Sequence, residues 1–513
     1  MRNKLKKSGI LLLAVLFLGV HNIYAQTNAA EKARSNYRGP YPKYIFYFIG
    51  DGFGLAQTNA AETYLAAVSD KEGIQKLEMS KLPHQGFFTT YALNRFITGS
   101  AAAGTALATG HKTTINTIGM DGAKQNPHKS VAEMARDKGW KVGVVTSVSI
   151  DHATPAAFYA HQPSRNMYYN ISLDLSKSNF NYFGGGGFNH PEGDGEINEK
   201  DIMSNIGMGG SDNDKNGKPN SIDIAKKRGY QYIDTKKGFK NLKAGDNKII
   251  AVSPVLSGGK SLRYSIDQDE NDISLAQFTA KGIELLDNSK GFFMMVEGGK
   301  IDWACHANDA ATVIKETLDY DAAVAEALKF YNKHPKETLI VVAADHETGG
   351  MGMGFSGSHY QTEFQLLQHQ NISYEAFSNL VNEYRKSHKE TAKFEDIRNL
   401  VQKHFGLGDE SKDLALSEFE VKRLKDAFEQ SMLAKKERNK NDQYYLLYGS
   451  YDPITVTACH LLANKAGIGW TSYSHTATPI PMRAIGPGAE LFSGYYDNTD
   501  LPKNIMKLLK VKK

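Results

Sequence analysis

Between residues 43 and 344 the chain alternates short apolar, β-rich runs with helical patterns, and this alternation restricts the fold more than any other feature. The runs cover 44–49, 141–147, 248–252, 291–296 and 338–343, and helical patterns cover 130–138, 273–286 and 310–331. Strands without a polar face must be covered on both sides. The pattern therefore predicts an α/β fold: a mostly parallel central sheet with helices on both faces. In such sheets, binding sites form beyond the carboxyl ends of the strands. Three of the runs end in chemistry-bearing residues: the first at Gly50-Asp51-Gly52, the fourth at Glu297-Gly298-Gly299, and the fifth at Asp345-His346. One such ending is common by chance; three point to a shared site.

The rest of the chain is organised around that core. Residues 356–448 are dominated by charged helical patterns at 374–389, 393–405 and 417–439, which read as a helical insertion, and a final strand-like run follows at 482–485. Gly184 to Gly187 read as a tight turn after a strand. At the N-terminus, Arg2, Lys4, Lys6 and Lys7 precede an apolar run at 10–20 and a cleavage-like Ala25. This is the pattern of a secretory signal peptide over 1–25, with the mature domain at 26–513 exported to a periplasm or outside the cell. No later stretch reaches membrane-spanning length. The formal charge is +5, and losing the leader removes four positive charges and leaves about +1, which excludes a generally basic, nucleic-acid-binding protein. Two cysteines, Cys305 and Cys459, make no disulfide framework and read as unpaired and buried.

Several residues are suited to metal and phosphoryl chemistry. Asp302 and His306 stand at i, i+4, so a helical turn would aim both at one ion. Asp345 and His346 are adjacent at a strand end, and His475 lies in a polar loop. Acids and imidazoles suit catalytic zinc, and all-oxygen groups suit magnesium. Ser100, in Thr98-Gly99-Ser100-Ala101, sits at a predicted strand-to-helix turn, where backbone N–H groups favour an oxyanion. Its plainer role would be an N-cap. Arg165 offers a planar fork for two phosphate oxygens, although most arginines are simply solvated.

Taken together and in chain order, six stretches resemble the alkaline phosphatase family: Phe48 to Gly52, Ser100 to Thr113, His152 to Ala156, Val296 to His306, Ala344 to Gly349, and His475-Thr476. The resemblance implies an enzyme that hydrolyses phosphate monoesters through a phosphoserine on Ser100, using two Zn2+ and one Mg2+. It implies that Asp302, His306 and His475 bind the first zinc. Asp51, Asp345 and His346 would bind the second, which also contacts Ser100, and Asp51, Thr154 and Glu297 the magnesium. Arg165 would clamp the phosphoryl oxygens. The family is often dimeric, so a homodimer is expected.

Two departures bear on this. Family members commonly place an acid before the serine, where Gly99 stands here, so a looser Arg165 is expected. His152 and Trp303 occupy variable positions near the third metal, and an imidazole there would favour a softer ion than magnesium. The nearest alternative is a relative acting on phosphodiesters or sulfate esters. Asp212 to Asp223 has calcium-loop spacing but reads better as a polar turn before a helix.

Overall fold

The central strands are where they are because nothing in them tolerates water. Tyr44–Gly50 (β1) reads YIFYFIG and is buried throughout, as are Phe292–Gly298 (β7) and Thr338–Ala344 (β8). The computed structural model describes residues 36–193 and 219–510. In it, β1 runs parallel to β7 on one side and β8 on the other.

These three strands lie inside a ten-stranded sheet of order β14-β2-β13-β8-β1-β7-β3-β4-β6-β5. The remaining members are His84–Thr89 (β2), Lys141–Thr146 (β3), Tyr182–Gly185 (β4), Gln231–Ile233 (β5), Ile249–Val252 (β6), Ile480–Ile485 (β13) and Gly494–Asp497 (β14). Only β13 runs against its neighbours. The sheet is mostly parallel and covered by helices, as the alternation predicts. Gly184 and Gly185 close β4 rather than forming a turn. A side chain at Gly185 would strike the Thr146 carbonyl, so glycine here allows two backbones to approach.

Helices pack on this sheet through apolar stripes. Leu275–Leu286 buries Leu275, Phe278, Leu285 and Leu286 and begins with a Ser274/Gln277 capping box. Ala310–Lys333 is N-capped by Asp309. The region expected as an insertion is helical, with Tyr374–His388, Phe394–Phe405, Glu418–Met432 and Asp442–Tyr448. The third of these ends earlier than its charge pattern suggests, because Leu433 turns to an extended conformation. The helical region continues into Pro453–Lys465, which buries most of its length.

Glu347–Thr348 (β9) and His475–Thr476 (β12) form a small antiparallel ribbon beside a second one, Gly352–Met353 (β10) with Ile468–Gly469 (β11); the first is the one that matters for the site. It folds His475 back onto the end of β8. Cys305 and Cys459 are both buried and unpaired. No helix among the described residues is long and apolar enough to cross a membrane. The expected leader (1–25) and most of the calcium-like stretch lie outside the described residues. Of that stretch, Asn220 caps the helix Ser221–Lys227 and Asp223 sits in its first turn, as a polar helix start would have it.

Candidate active site

Strand register places the acids. Gly50 is level with Gly298 on one side and Ala344 on the other, so Asp51 and Asp345 emerge side by side while Glu297, level with Ile49, sits two residues back. Thr146, the last residue of β3, stands opposite Glu297 and donates a hydrogen bond to its Oε2. Beyond β7, the helix Lys300–His306 turns Asp302 and His306 inward. It can do so because residue 52 is glycine: φ is +69°, and a Cβ there would lie 2.6 Å from the Asp302 Cα. Asp51, Glu297, Asp345 and His346 have no exposed surface, and Asp302 has 4%.

Ser100 opens the ten-residue helix Ser100–Thr109, with Gly99 as its N-cap. Its Oγ lies 3.5 Å from His346 Nε2. The residue is 2% exposed, so the hydroxyl sits at the mouth of the acid cluster rather than on open surface.

Three groups of potential ligand atoms meet here. His306 and His475 each direct Nδ1 at a backbone carbonyl, of Tyr473 at 2.6 Å and of Thr98 at 2.8 Å. Both therefore present Nε2 lone pairs inward, and these lie only 3.1 Å apart. Asp302 stands 3.4 Å from the first and 3.7 Å from the second. Two facing lone pairs beside a carboxylate fit a shared cation, with the carbonyls fixing the tautomers. Asp302 also groups with His346 and His475, and His346 groups with Asp51 and Asp345, ligand atoms lying within 4.8 Å in each set. The first and second expected sites are thus contiguous through His346. The third group is Asp51, His152 and Glu297, and Thr154 Oγ1 donates to Asp51 Oδ2 at 3.4 Å. Asp51 Oδ1, Glu297 Oε1, Asp345 Oδ2 and His152 Nδ1 are buried without a hydrogen-bond partner. Buried orphan oxygens are costly unless a cation satisfies them.

The electrostatics agree. Burial, reinforced by Asp345, Asp302 and Glu297, pushes the Asp51 carboxyl far above its ordinary range. Burial also lifts Glu297 to about 8, against a Thr146 hydrogen bond, and Asp345 to about 7, with Asp302 adding. Asp302 goes the other way: burial opposes its charge, but His306, His475 and His346 outweigh that and hold it well below. Burial drives His346 well below its ordinary value and His475 down to about 4. Burial, with Arg165 beside it, lowers His152 to about 3. His306 alone is raised, Asp302 overcoming burial. Two like charges about 4 Å apart repel by about 4 kcal/mol at an effective dielectric near 20. Four buried carboxylates facing three imidazoles that burial keeps neutral, with His306 and one arginine beside them, are therefore a donor set that fits divalent metal ions.

Every expected ligand reaches the site. Arg165 joins it through His152: its guanidinium NH2 donates to His152 Nε2 at 2.8 Å. Gly99 supplies no acid, and the Arg165 guanidinium rests on an imidazole instead. Motif reading missed the supporting residues. Thr348 Oγ1 donates to Asp302 Oδ1 at 2.5 Å, and Thr146 holds Glu297. The Tyr473 and Thr98 carbonyls orient two ligands. Only Thr146 left a signal, lying within the predicted strand 141–147 near its carboxyl end.

Comparison with known proteins agrees in extent and order. The family described as Alkaline phosphatase matches residues 42–511. Alkaline phosphatase 3 of Bacillus subtilis (strain 168) is 31% identical over 493 residues, covering 94% of this chain and 92% of that one. Alkaline phosphatase 4 of the same strain is 29% identical over 514 residues, covering 99% and 98%. The crystal structure of a cold-active alkaline phosphatase from a psychrophilic Shewanella sp. aligns with a TM-score of 0.71 at 28% identity, covering 91% of this chain and 99% of that one.

Proposed function

The chain belongs to the alkaline phosphatase family and is a phosphatase, and we propose that it hydrolyses phosphate monoesters through a phosphoserine on Ser100. The observation that carries this reading is a hydroxyl at a helix N-terminus, 3.5 Å from His346, at the rim of a buried carboxylate cluster.

Asp302, His306 and His475 would hold one Zn2+, Asp51, Asp345 and His346 a second, and Asp51, Thr154 and Glu297, with His152 beside them, a Mg2+ or a softer divalent ion. When bound, such ions lower the pKa of a hydroxyl or water and stabilise charge on entering and leaving oxygens. Ser100 Oγ attacks phosphorus in line, the ester P–O bond breaks, and the alcohol departs with a proton. Backbone N–H groups at the start of the Ser100 helix face the phosphoryl charge. Arg165, with one nitrogen held by His152, grips the non-bridging oxygens. Water then attacks the phosphoserine from the opposite side, freeing phosphate and restoring the hydroxyl. Two in-line displacements give retention at phosphorus.

Turnover of an aryl phosphate, with and without chelator, tests the reading, beside trapping of labelled phosphate on Ser100 in acid. Faster turnover of the methyl diester or of an aryl sulfate would move the protein to the alternative substrate class. Metal analysis of protein purified without added ions tests the third site: full magnesium occupancy would exclude a softer ion. Export rests on the leader pattern, and a mature N-terminus at Gln26 would establish it. A homodimer with the helical region as lid or interface is likewise part of the proposal, tested by sedimentation of the parent and of a 356–448 deletion.

A further inference from the structure

Lys300 plays no part in the reaction as described, yet it opens the helix that carries Asp302 and His306 and has no exposed surface. Its Nζ donates to Ser257 Oγ at 3.0 Å, Ser261 Oγ at 3.0 Å and the Leu262 carbonyl at 2.9 Å, which uses all its donors. The ammonium lies 3.5 Å from the centre of the Tyr264 ring, and Glu375 Oε2 is 3.8 Å away.

Glu375 belongs to the helical region, in the first turn of Tyr374–His388. Its other oxygen accepts the Gly258 N–H at 2.8 Å, fixing the turn Gly258–Lys260. That turn closes on Trp303: Gly259 has φ +60°, and a Cβ there would lie 2.8 Å from Trp303 Cη2. The Trp303 ring meets His152 nearly edge-on, with centroids 5.7 Å apart. His152 in turn accepts from Arg165. Unbroken contact thus runs from the helical region to the guanidinium.

The geometry points to Lys300 and Glu375 as a positioning pair that sets the orientation of Arg165 through Trp303 and His152. This rests on the reading that Arg165 grips the phosphoryl group. The pair fills the place left open by Gly99: with no acid beside the serine, the arginine takes its orientation from the His152 ring, and that ring is only as fixed as Trp303 and the turn beneath it. Lysine suits the position because three oxygens converge on one point from different directions, which a planar guanidinium would not match.

The test uses the full-length, metal-loaded enzyme with Glu375→Ala and Glu375→Gln, because the Glu375 side chain is 23% exposed and its replacement opens to solvent rather than leaving a sealed cavity. Measured are kcat and KM for an aryl phosphate, the inhibition constant of inorganic phosphate, metal content and thermal midpoint. The alanine variant should raise KM and the phosphate inhibition constant together by about tenfold, as expected for a displaced supporting group. Metal content and midpoint should stay close to the parent. The glutamine variant keeps an oxygen for Gly258 and should lie nearer the parent than alanine does. Phosphate affinity unchanged in both variants, or falling only in step with metal content or midpoint, would overturn the pair. A parent inactive on aryl phosphate would instead overturn the proposed function.

Discussion

Two buried charge clusters lie within a few residues of each other, on either side of Lys300–His306, and they resolve the same physical problem differently. Around Lys300, the acids Glu375, Glu316 and Asp267 face a cation that the chain supplies itself. Burial still lifts Glu316 to about 7, but the Ser265 N–H and hydroxyl satisfy its Oε1. At the strand ends, Asp51, Glu297 and Asp345 have orphaned oxygens and no lysine. A buried acid that evolution intends to be structural is given a partner in the chain; one without a partner is waiting for something from solution. The contrast marks the strand-end acids as the candidate metal site from their own burial and unpaired oxygens.

The largest effect separates the chemistry of the acid cluster from its charge. Ser100→Ala removes no carboxylate or imidazole, so metal content should equal the parent's while aryl phosphate hydrolysis falls by about 10⁴-fold or more, as for loss of a covalent nucleophile. Loss of metal together with activity would show that the serine belongs to the charge balance rather than to the reaction.

Next comes the cation itself. Chelation should lower the thermal midpoint and abolish turnover, and Asp51→Asn should weaken metal binding by at least about 100-fold, since even outer-sphere changes cost 10- to 100-fold. Asp51 borders two of the groups, so metal stoichiometry should fall by more than one ion per chain. The Lys300 cluster needs no ion. A chelator effect on Tyr264 as large as that at the strand ends would break the comparison.

Much of this was legible because strands report themselves locally. Continuous apolar runs such as 44–49 and 338–343 end within a residue or two of where the structure ends them, and just beyond them stand Asp51, Asp345 and His346 of the candidate metal site. Less legible were helices whose buried positions are small or polar. Leu55–Val68 buries Gln57, Thr58 and Glu62 while exposing Leu55 and Val68, and Pro453–Lys465 is rich in alanine and threonine, so neither shows an apolar 3.6-residue stripe. β2 alternates instead: paired between β14 and β13, it buries Gly86 and Phe88 and exposes Gln85 and Phe87. The supporting residues were hidden for a different reason. Thr348, the Thr98 carbonyl and the Lys300–Glu375 pair act across tens to hundreds of residues, and spacing carries no information about such contacts. The Arg165 contact shows the limit of motif reading: Gly99 offers the guanidinium no acid, and spacing gives no sign that His152 accepts from it instead.

A moderate effect concerns pH. Glu297, raised to about 8, and Asp345, raised to about 7, both exceed their ordinary values of 4.5 and 3.8. A carboxyl with a raised folded-state pKa binds its proton more tightly when folded. Its contribution to stability is complete below about pH 4 and is lost as pH climbs through 7 and 8. In chelator, the thermal midpoint should therefore fall steadily between about pH 5 and 8. Restored divalent metal should raise the midpoint most at the alkaline end, because metal displaces those protons. A flat profile in chelator would mean that the acids are already balanced by the chain, and the contrast with Lys300 would fail.

The smallest effect tests whether one hydroxyl belongs with the metal set or merely fills space beside it. Thr348 is fully buried, and its Oγ1 donates to Asp302 Oδ1 while lying 3.3 Å from His346 Nδ1. Thr348→Val conserves volume and β-branching, so packing and the β9–β12 ribbon should survive. The Asp302 oxygen loses a donor, and that carboxylate then depends more heavily on His306, His475 and the ion. Metal affinity should drop by about tenfold, with turnover recovered at saturating metal. In chelator, His306 and His475 still partner Asp302, so stability there should change little. The opposite pattern, unchanged metal affinity with a large loss of stability in chelator, would assign Thr348 to the fold and leave Asp302 oriented by its imidazoles alone.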